Sequence, residues 1–204
     1  MNRVLMDEIA SAALEHIWLV LIAITAAILI AIPAAIVLTR YARIRRGTIA
    51  IVNVVQTIPS LALFGFLLPL PLIGGVGKPA AIVALILYAL LPILRSTVTG
   101  ILGIDQSVRE SAIAMGMTDR QILRSVELPL AFPTILVGIR IAAITTIGTA
   151  TIAAAIGGGG LGTFVFRGIA MADSNTILAG AVPAAAMAIA ADEVLGWFER
   201  RFRS

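Results

Sequence analysis

The first apolar run of this chain extends from Ile17 to Leu38 and contains 22 residues without a charge. A membrane-spanning α-helix needs about 20 consecutive apolar residues, whereas the apolar core of a secretory signal peptide has about 7–15. The residues upstream include Asp7, Glu8 and Glu15, which give this flank the opposite charge from that of a signal peptide. The run therefore predicts an uncleaved transmembrane helix.

The composition extends this conclusion to the whole chain. Of its 204 residues, 60% are hydrophobic and 13% are charged, against about 45–50% and about 25% in soluble domains. Apolar residues occupy consecutive positions, which favours helices over the alternating pattern of a β-barrel. The length accommodates roughly five helical spans, so we expect neither a fused ATPase nor a fused solute-binding domain. We predict one all-α transmembrane domain over residues 1–204, with spans at about 17–39, 49–73, 79–100, 131–156 and 176–198.

The second of these runs is interrupted by polar residues and by Pro59. Proline lacks a backbone donor and disfavours helix in the preceding residue, so we expect one span that is broken near Pro59. Two half-spans are the alternative, although each would be too short to cross a membrane by itself. We also expect a tight turn at residues 74–78 and a glycine-rich connection at 157–175.

The basic residues indicate the orientation. With five spans, three basic residues fall in one set of loops, at Arg3, Lys78 and Arg167. The other set holds ten, namely Arg40, Arg43, Arg45, Arg46, Arg109, Arg120, Arg124, Arg200, Arg201 and Arg203. The positive-inside rule places the richer set in the cytoplasm. The N-terminus is then outside, the C-terminus inside, and residues 101–130 form a cytoplasmic loop; a four-span arrangement would lose this separation.

That loop is predicted to contain two short helices. Ser107 and Glu110 fit a capping box at the start of the first helix, and Thr118 and Gln121 fit one at the start of the second.

The ends of the two helices are marked as well. Gly116 is expected to end the first, and Pro129 to end the second. Val108, Ala112 and Met115 would share one apolar face at helical spacing. A short helix with such a face in the cytosol needs a partner surface.

This loop resembles a known motif. Glu110-Ser111-Ala112, followed by Gly116, Val126, Leu128 and Pro129, has the spacing of the EAA loop of ABC-importer permeases, with Ser111 and Val126 in place of Ala and Ile. Four further segments resemble the osmoprotectant branch of that family, which imports glycine betaine, carnitine, choline and similar solutes. They are QTIPSLAL (56–63), LPILR (91–95), VELPLA (126–131) and IGGGGLG (156–162).

The resemblance implies a five-span permease core of a type I importer in the bacterial cytoplasmic (inner) membrane. Its partners would be a cytoplasmic ABC ATPase dimer, a second permease subunit (identical or related) and an extracytoplasmic solute-binding protein, with no nucleic acid. ATP would be used by the partner subunit, and no cofactor is expected on this chain. The ATPase-coupling residues would be Arg109, Glu110, Ser111, Ala112, Met115, Gly116, Met117, Leu128 and Pro129.

Polar residues inside the spans are candidates for lining a solute passage, since intramembrane polar groups usually face the bundle interior. They are Gln56, Thr57, Ser60, Thr145 and Thr149. Close packing between helices, helped by small and hydroxyl residues, is the alternative role. With only 11 aromatic residues in the chain (7 Phe, 2 Tyr and 2 Trp), no aromatic cage for a quaternary ammonium is evident. We expect high-affinity recognition on the binding protein.

Charged residues within or near the spans are Arg95, Arg140, Asp192 and Glu193, and we expect structural ion pairs among them rather than a proton relay. The chain has no cysteine and one histidine, His16, which we interpret as an interfacial anchor. No metal-ligand or nucleophile set is evident, so an intramembrane enzyme is disfavoured. The glycines at 157–160 lack the Gly-Lys-Ser/Thr ending of a phosphate loop.

Two other transport functions are the alternatives. An ABC permease for another small solute, such as an amino acid or a sulphonate, would carry the same loop. A secondary transporter would need an inverted repeat or an ion-coupling carboxylate at mid-membrane, and the sequence shows neither.

Overall fold

The computed structural model of the chain describes residues 3–69 and 76–202. In this part of the chain the regular structure is entirely helical, as predicted. The helices are α1 (Arg3–Arg40), α2 (Ala42–Thr57), α3 (Ser60–Leu67), α4 (Lys78–Leu102), α5 (Gln106–Ala114), α6 (Asp119–Ile122), α7 (Leu128–Ala153), α8 (Gly162–Met171) and α9 (Ser174–Phe202). A π-helical segment, Leu123–Glu127, joins α6 to α7, and a 3-10 turn, Ala154–Ile156, follows α7.

Four of the described segments are long and apolar enough to cross a membrane. They are Leu5–Arg40, Lys78–Leu102, Asp119–Ile156 and Ser174–Phe202. The pair α2 and α3 qualifies as a fifth if it is one broken span. The helix of the first span begins at Arg3, well before the predicted boundary at residue 17. Residues 70–73 of the second predicted span and 74–75 of the predicted turn lie outside the described residues.

The break between α2 and α3 lies where Pro59 predicts it. Ile58 is extended, with ψ of 124°, and the two helices are bent by 100°. The residue before a proline is driven out of the helical region by the proline ring, which accounts for the conformation of Ile58.

Helix α4 lies at the centre of the bundle and packs on both α1 and α7. Helix α1 meets it with alanines at every fourth position, and all four are fully buried: Ala23, Ala27, Ala31 and Ala35. On the other side, a methyl group at Gly138 of α7 would come within 2.5 Å of the Ser96 Cβ and 2.7 Å of the Pro92 carbonyl oxygen. Small residues therefore allow both neighbours to approach α4 closely, as in other membrane helix bundles.

The predicted end of the second loop helix at Pro129 is wrong. Residues 119–156 form one continuous helical segment that runs from the loop into a spanning helix. Proline is tolerated in the first turn of a helix, and Pro129 occupies that turn of α7. The π-helical segment just before it, where the Leu128 N–H donates to the Leu123 carbonyl, provides the change in winding.

The connection at 157–175 also differs from the prediction, because it contains the ten-residue helix α8. The glycines before α8 form the turn itself. Gly157, Gly159 and Gly160 have φ between 74° and 83°, which is the left-handed region that glycine adopts without steric cost.

Candidate functional site

Helix α5, the loop helix, begins at a different cap from the one predicted. Asp105 is the N-cap, and its carboxylate accepts a hydrogen bond of 2.8 Å from the Ser107 backbone N–H. This bond holds the pKa of the Asp105 carboxyl below its usual range. The predicted Ser107–Glu110 capping box is wrong, because the Glu110 carboxylate instead accepts from the Gln106 side chain at 2.7 Å. Asp105, two residues before Ser107, therefore provides the N-cap acceptor that was predicted for the Ser107 hydroxyl.

The C-terminal end of the loop helix is closed at Gly116, as predicted. Gly116 has φ of 78°, and the Met117 N–H reaches back to the Ala112 carbonyl at 3.2 Å. This pattern is a glycine C-cap that satisfies carbonyls at the end of the helix. The predicted capping box of Thr118 and Gln121 then starts α6. Two capped helices are thus joined by a defined turn.

The apolar face of the loop helix agrees with the prediction at Val108 and Met115 but not at Ala112. Ala112 is buried against the rest of the chain, with 1% of its surface exposed, whereas Met115 is 73% exposed and Ile113 is 58% exposed. Val108 is exposed as well. The surface that this segment offers to a partner therefore includes Val108, Ile113 and Met115, and not Ala112.

Of the other residues predicted for coupling, Glu110, Ser111 and Gly116 are exposed, and Met117 is half-buried. Leu128 and Pro129 lie in the first turn of α7, beyond the π-helical segment. They belong to the base of the loop and not to its exposed end.

Arg109 has a partner that the sequence did not assign. Glu127, whose side chain is 3% exposed, accepts from Arg109 at 2.8 Å and from Arg40 at 2.7 Å. The three residues come from α5, the π-helical segment and the end of α1. Buried carboxylates are found where such partners compensate them. Glu127 therefore joins the loop helix to the end of the first spanning helix; its only sequence signal was a lone acid before an apolar run.

A cavity of about 470 Å³ lies between α2, α4 and α7, and we call it the Arg95 cavity. Its walls are formed by Gln56, Tyr88, Leu91, Pro92, Arg95, Ser96, Ile141, Thr145 and Thr149. Three of the predicted passage residues, Gln56, Thr145 and Thr149, therefore meet at one site. Thr57 and Ser60 do not line it, and the exposed Thr57 hydroxyl donates to the Val54 carbonyl of its own helix.

At the wall of this cavity, hydrogen bonds join α4 to the α2–α3 break, two places where a proline interrupts the backbone hydrogen bonding of a helix. Pro92 has no N–H, so it cannot donate to the Tyr88 carbonyl one turn earlier. The Gln56 amide donates to that carbonyl instead, at 2.9 Å. In return, the Tyr88 hydroxyl donates to the carbonyl of Ile58, at the break before Pro59. The broken helix is therefore held against α4 by side chains that satisfy backbone groups which the helices leave free.

The threonines of α7 occupy two kinds of position, at the cavity wall and within the packed bundle. Thr145 and Thr149 line the Arg95 cavity and donate their hydroxyl hydrogens to carbonyls of their own helix, with 2.8 Å from Thr145 to Ile141 and 2.8 Å from Thr149 to Thr145. Their oxygens thus keep only acceptor capacity toward the cavity. Thr146 is completely buried and packs within the bundle.

The expected ion pairing involves only some of the charged residues. Arg140 pairs with Asp192 and, at 3.1 Å, with Glu199. Asp192 and Glu199 are two helical turns apart on one face of α9. Glu193 is exposed. Arg95 is exposed and lines the Arg95 cavity. None of the ion pairs found among the described residues includes it.

His16 is not the interfacial anchor predicted, because its side chain is completely buried. Its Nε2 donates to the Ile147 carbonyl of α7 at 3.1 Å, so His16 joins α1 to α7. The adjacent Glu15 accepts from the Gly160 N–H at 2.7 Å and pairs with Lys78 at 2.6 Å. The glycine-rich turn is therefore fastened to α1 and to the start of α4.

Several apolar helices of membrane length, a cavity lined in part by polar residues and a capped helical loop define a helical membrane protein. Residues 23–204 match the family described as "Binding-protein-dependent transport system inner membrane component", and the chain belongs to this family. This agrees with an inner-membrane location. Proteins of this family are membrane components of transport systems that work with a solute-binding protein.

Curated relatives match nearly the whole chain. It is 47% identical over 194 residues to the choline transport system permease protein OpuBB of Bacillus subtilis (strain 168), covering 95% of this chain and 88% of the relative. It is 46% identical over 187 residues to the glycine betaine/carnitine/choline transport system permease protein OpuCB of the same strain, covering 92% and 85%.

A solved structure has the same fold. A chain from the inward-facing MetNI methionine ABC transporter superposes with a TM-score of 0.89 at 26% identity, covering 99% of both chains. The predicted all-helical ABC-permease class is thus confirmed.

Proposed function

We propose that this chain is the permease subunit of an ABC importer for an osmoprotectant solute such as glycine betaine, carnitine or choline. The observation that carries the proposal is the 46–47% identity, over nearly the whole chain, to permeases named for these solutes. The solutes in those names share a trimethylammonium group. An amino-acid importer is the second candidate, favoured by the likeness to the methionine transporter at 26% identity.

The proposed assembly contains two permease subunits, an ABC ATPase dimer on the cytoplasmic side and a solute-binding protein outside. ATP is bound and hydrolysed by the ATPase subunits, and this chain binds no cofactor. The exposed Ile113 and Met115 of the capped loop helix support an ATPase contact here, since an unpaired apolar surface on a short helix marks an interaction site.

Force transmission requires a connection that does not yield. The loop helix is capped at Asp105 and Gly116 and fixed to α1 through Arg109, Glu127 and Arg40. A displacement of this helix by the ATPase would therefore move the base of the first and fourth spans. The Arg95 cavity, with Gln56, Thr145 and Thr149, is the proposed wall of the solute passage.

Five spans are proposed for the topology, with the α2–α3 pair as one broken span, the N-terminus outside and the C-terminus inside. This arrangement places the ten basic residues of one loop set in the cytoplasm. It also brings the loop helix to the side where ATP is available.

The test is ATP-driven uptake by the assembled transporter in proteoliposomes. We expect this chain to co-purify with an ATPase and to import labelled glycine betaine, carnitine or choline only when ATP and the cognate binding protein are present. Methionine serves as the competing solute. Uptake of an amino acid in place of all three osmolytes would overturn the solute class, and uptake without an ATPase would overturn the importer class.

A further inference from the structure

Among the described residues, Arg95 is the only charged one in the walls of the Arg95 cavity. The ion pairs of the described residues leave it without a carboxylate, although Arg140 on the neighbouring α7 is paired twice. A cation within a span is costly in lipid, so such residues usually pair or face an aqueous path. The positive charge of Arg95 is therefore available to whatever enters the cavity.

The remainder of the wall is uncharged and combines apolar residues (Leu91, Pro92 and Ile141) with polar ones. The hydroxyl oxygens of Thr145 and Thr149 have acceptor capacity toward the cavity, since their hydrogens are donated to backbone carbonyls. The Tyr88 ring contributes an aromatic surface, which attracts cations through its π-face. One cationic group and several groups of partial negative charge thus share a cavity whose volume of about 470 Å³ is typical of small-molecule sites.

We propose that Arg95 is the carboxylate-binding residue of a solute subsite in this cavity, which carboxylated trimethylammonium solutes such as glycine betaine use and choline does not. The proposal rests on the proposed function and adds a substrate class to it. The solute carboxylate accepts a bidentate hydrogen bond from the guanidinium, whose two parallel donors match a carboxylate. The trimethylammonium end faces Tyr88 and the threonine oxygens. Choline, with a hydroxyl in place of the carboxylate, would leave the guanidinium without its anion.

The exposure of Arg95 fits a passage rather than a storage site. A hydrated guanidinium binds a carboxylate weakly, because water competes for both groups. A subsite in a transport path has to release its solute, so weak binding is the useful kind. Arg95 lies 17 residues after the start of α4, which is about 25 Å along the helix. In the proposed topology this is the cytoplasmic half of the span, from which the solute leaves.

The experiment compares glycine betaine with choline in the assembled transporter. ATP-driven initial uptake of each solute is measured for wild type, R95Q and R95K, with R46Q as the matched control. Arg46 is an exposed arginine of α2 that does not line the cavity. We expect R95Q to lower the ratio of glycine betaine to choline uptake by about tenfold. R95K should retain only part of the wild-type ratio, because a point charge remains but the two parallel donors are lost, and R46Q should retain all of it.

The ratio separates recognition from damage. A folding or assembly defect, or a loss of pairing with a carboxylate on a partner subunit, would lower uptake of both solutes equally, and an unchanged ratio in R95Q would overturn the proposal. A wild-type transporter whose binding protein delivers only choline would overturn it too. If wild type imports neither solute, the proposed function itself fails; if it imports glycine betaine and R95Q keeps the ratio, only the carboxylate subsite fails.

Discussion

At the residue scale, Glu127 is a buried carboxylate on which α1, the loop helix and the π-helical segment converge. It holds two arginines whose side chains are themselves 32% and 41% exposed. Removing the acid would leave two cations that water can partly solvate, so the cost is smaller than for a fully buried pair. We expect Glu127→Gln to lower the free energy of unfolding by about 1–3 kcal/mol, measured by thermal unfolding of the purified subunit in detergent.

The matched control for Glu127→Gln is Glu110→Gln, because Glu110 is exposed and, among the described residues, its carboxylate accepts from the exposed Gln106 side chain and from no arginine or lysine. This variant should unfold at the wild-type temperature. Arg109→Gln should fall between the two, since Glu127 keeps Arg40. Equal stability of Glu127→Gln and Glu110→Gln would contradict a structural role for the buried acid.

At the scale of the elements, Gly116 sets the turn between the loop helix and α6. Its φ of 78° favours glycine, yet a methyl group there would meet no atom of this chain within 4 Å. Asparagine tolerates the left-handed region, whereas a β-branched residue does not. If the turn is what matters, ATPase co-purification should decrease in the order Gly116, Gly116→Asn, Gly116→Ala, Gly116→Val.

The same series separates the turn from a close approach of the ATPase. If the ATPase packs directly on Gly116, asparagine, which is larger than alanine, should be at least as harmful as alanine. Wild-type co-purification and uptake by Gly116→Val would contradict both explanations. Membrane insertion of each variant is the internal control, because the exposed loop lies outside the spans.

How far the sequence predicts these elements depends on whether the signal is local. Long apolar runs, the break at Pro59 and the turn at Gly116 follow from properties of a few adjacent residues. Helix α8 was missed because its ten residues lie beside a glycine-rich turn. The helix end predicted at Pro129 is wrong because a π-helical segment precedes the proline, and no residue type marks such a segment in the sequence.

The candidate site divides in the same way. Polar residues in apolar runs identified Gln56, Thr145 and Thr149, which do meet at the Arg95 cavity. Arg95 was assigned to ion pairing, but the choice of ion-pair partners is made by tertiary geometry. Arg140 takes both Asp192 and Glu199, and Arg95 is left to the cavity. The burial of His16 likewise depends on the packing of α1 against α7. Its hydrogen-bond partner there, Ile147, lies 131 residues later in the chain.

At the scale of the whole molecule, the proposed topology makes a prediction that the composition renders easy to test. The chain has no cysteine, so single cysteines can be introduced without a background. Asn175, in the first turn of α9, and Ser111, on the loop helix, are both exposed. A membrane-impermeant thiol reagent added to intact spheroplasts should label Asn175→Cys and spare Ser111→Cys, because the membrane separates the two loops.

Inside-out vesicles should reverse this pattern, and permeabilised membranes should allow both positions to react, which controls for burial in a partner interface. The reason for the expected result is electrostatic: the loop with Ser111 belongs to the set with ten basic residues, and the loop with Asn175 to the set with three. Labelling of both positions from the same side would show that an even number of crossings separates them. In that case the segment Asp119–Ile156 would not cross the membrane once, and the loop helix and the turn after α8 would face the same compartment.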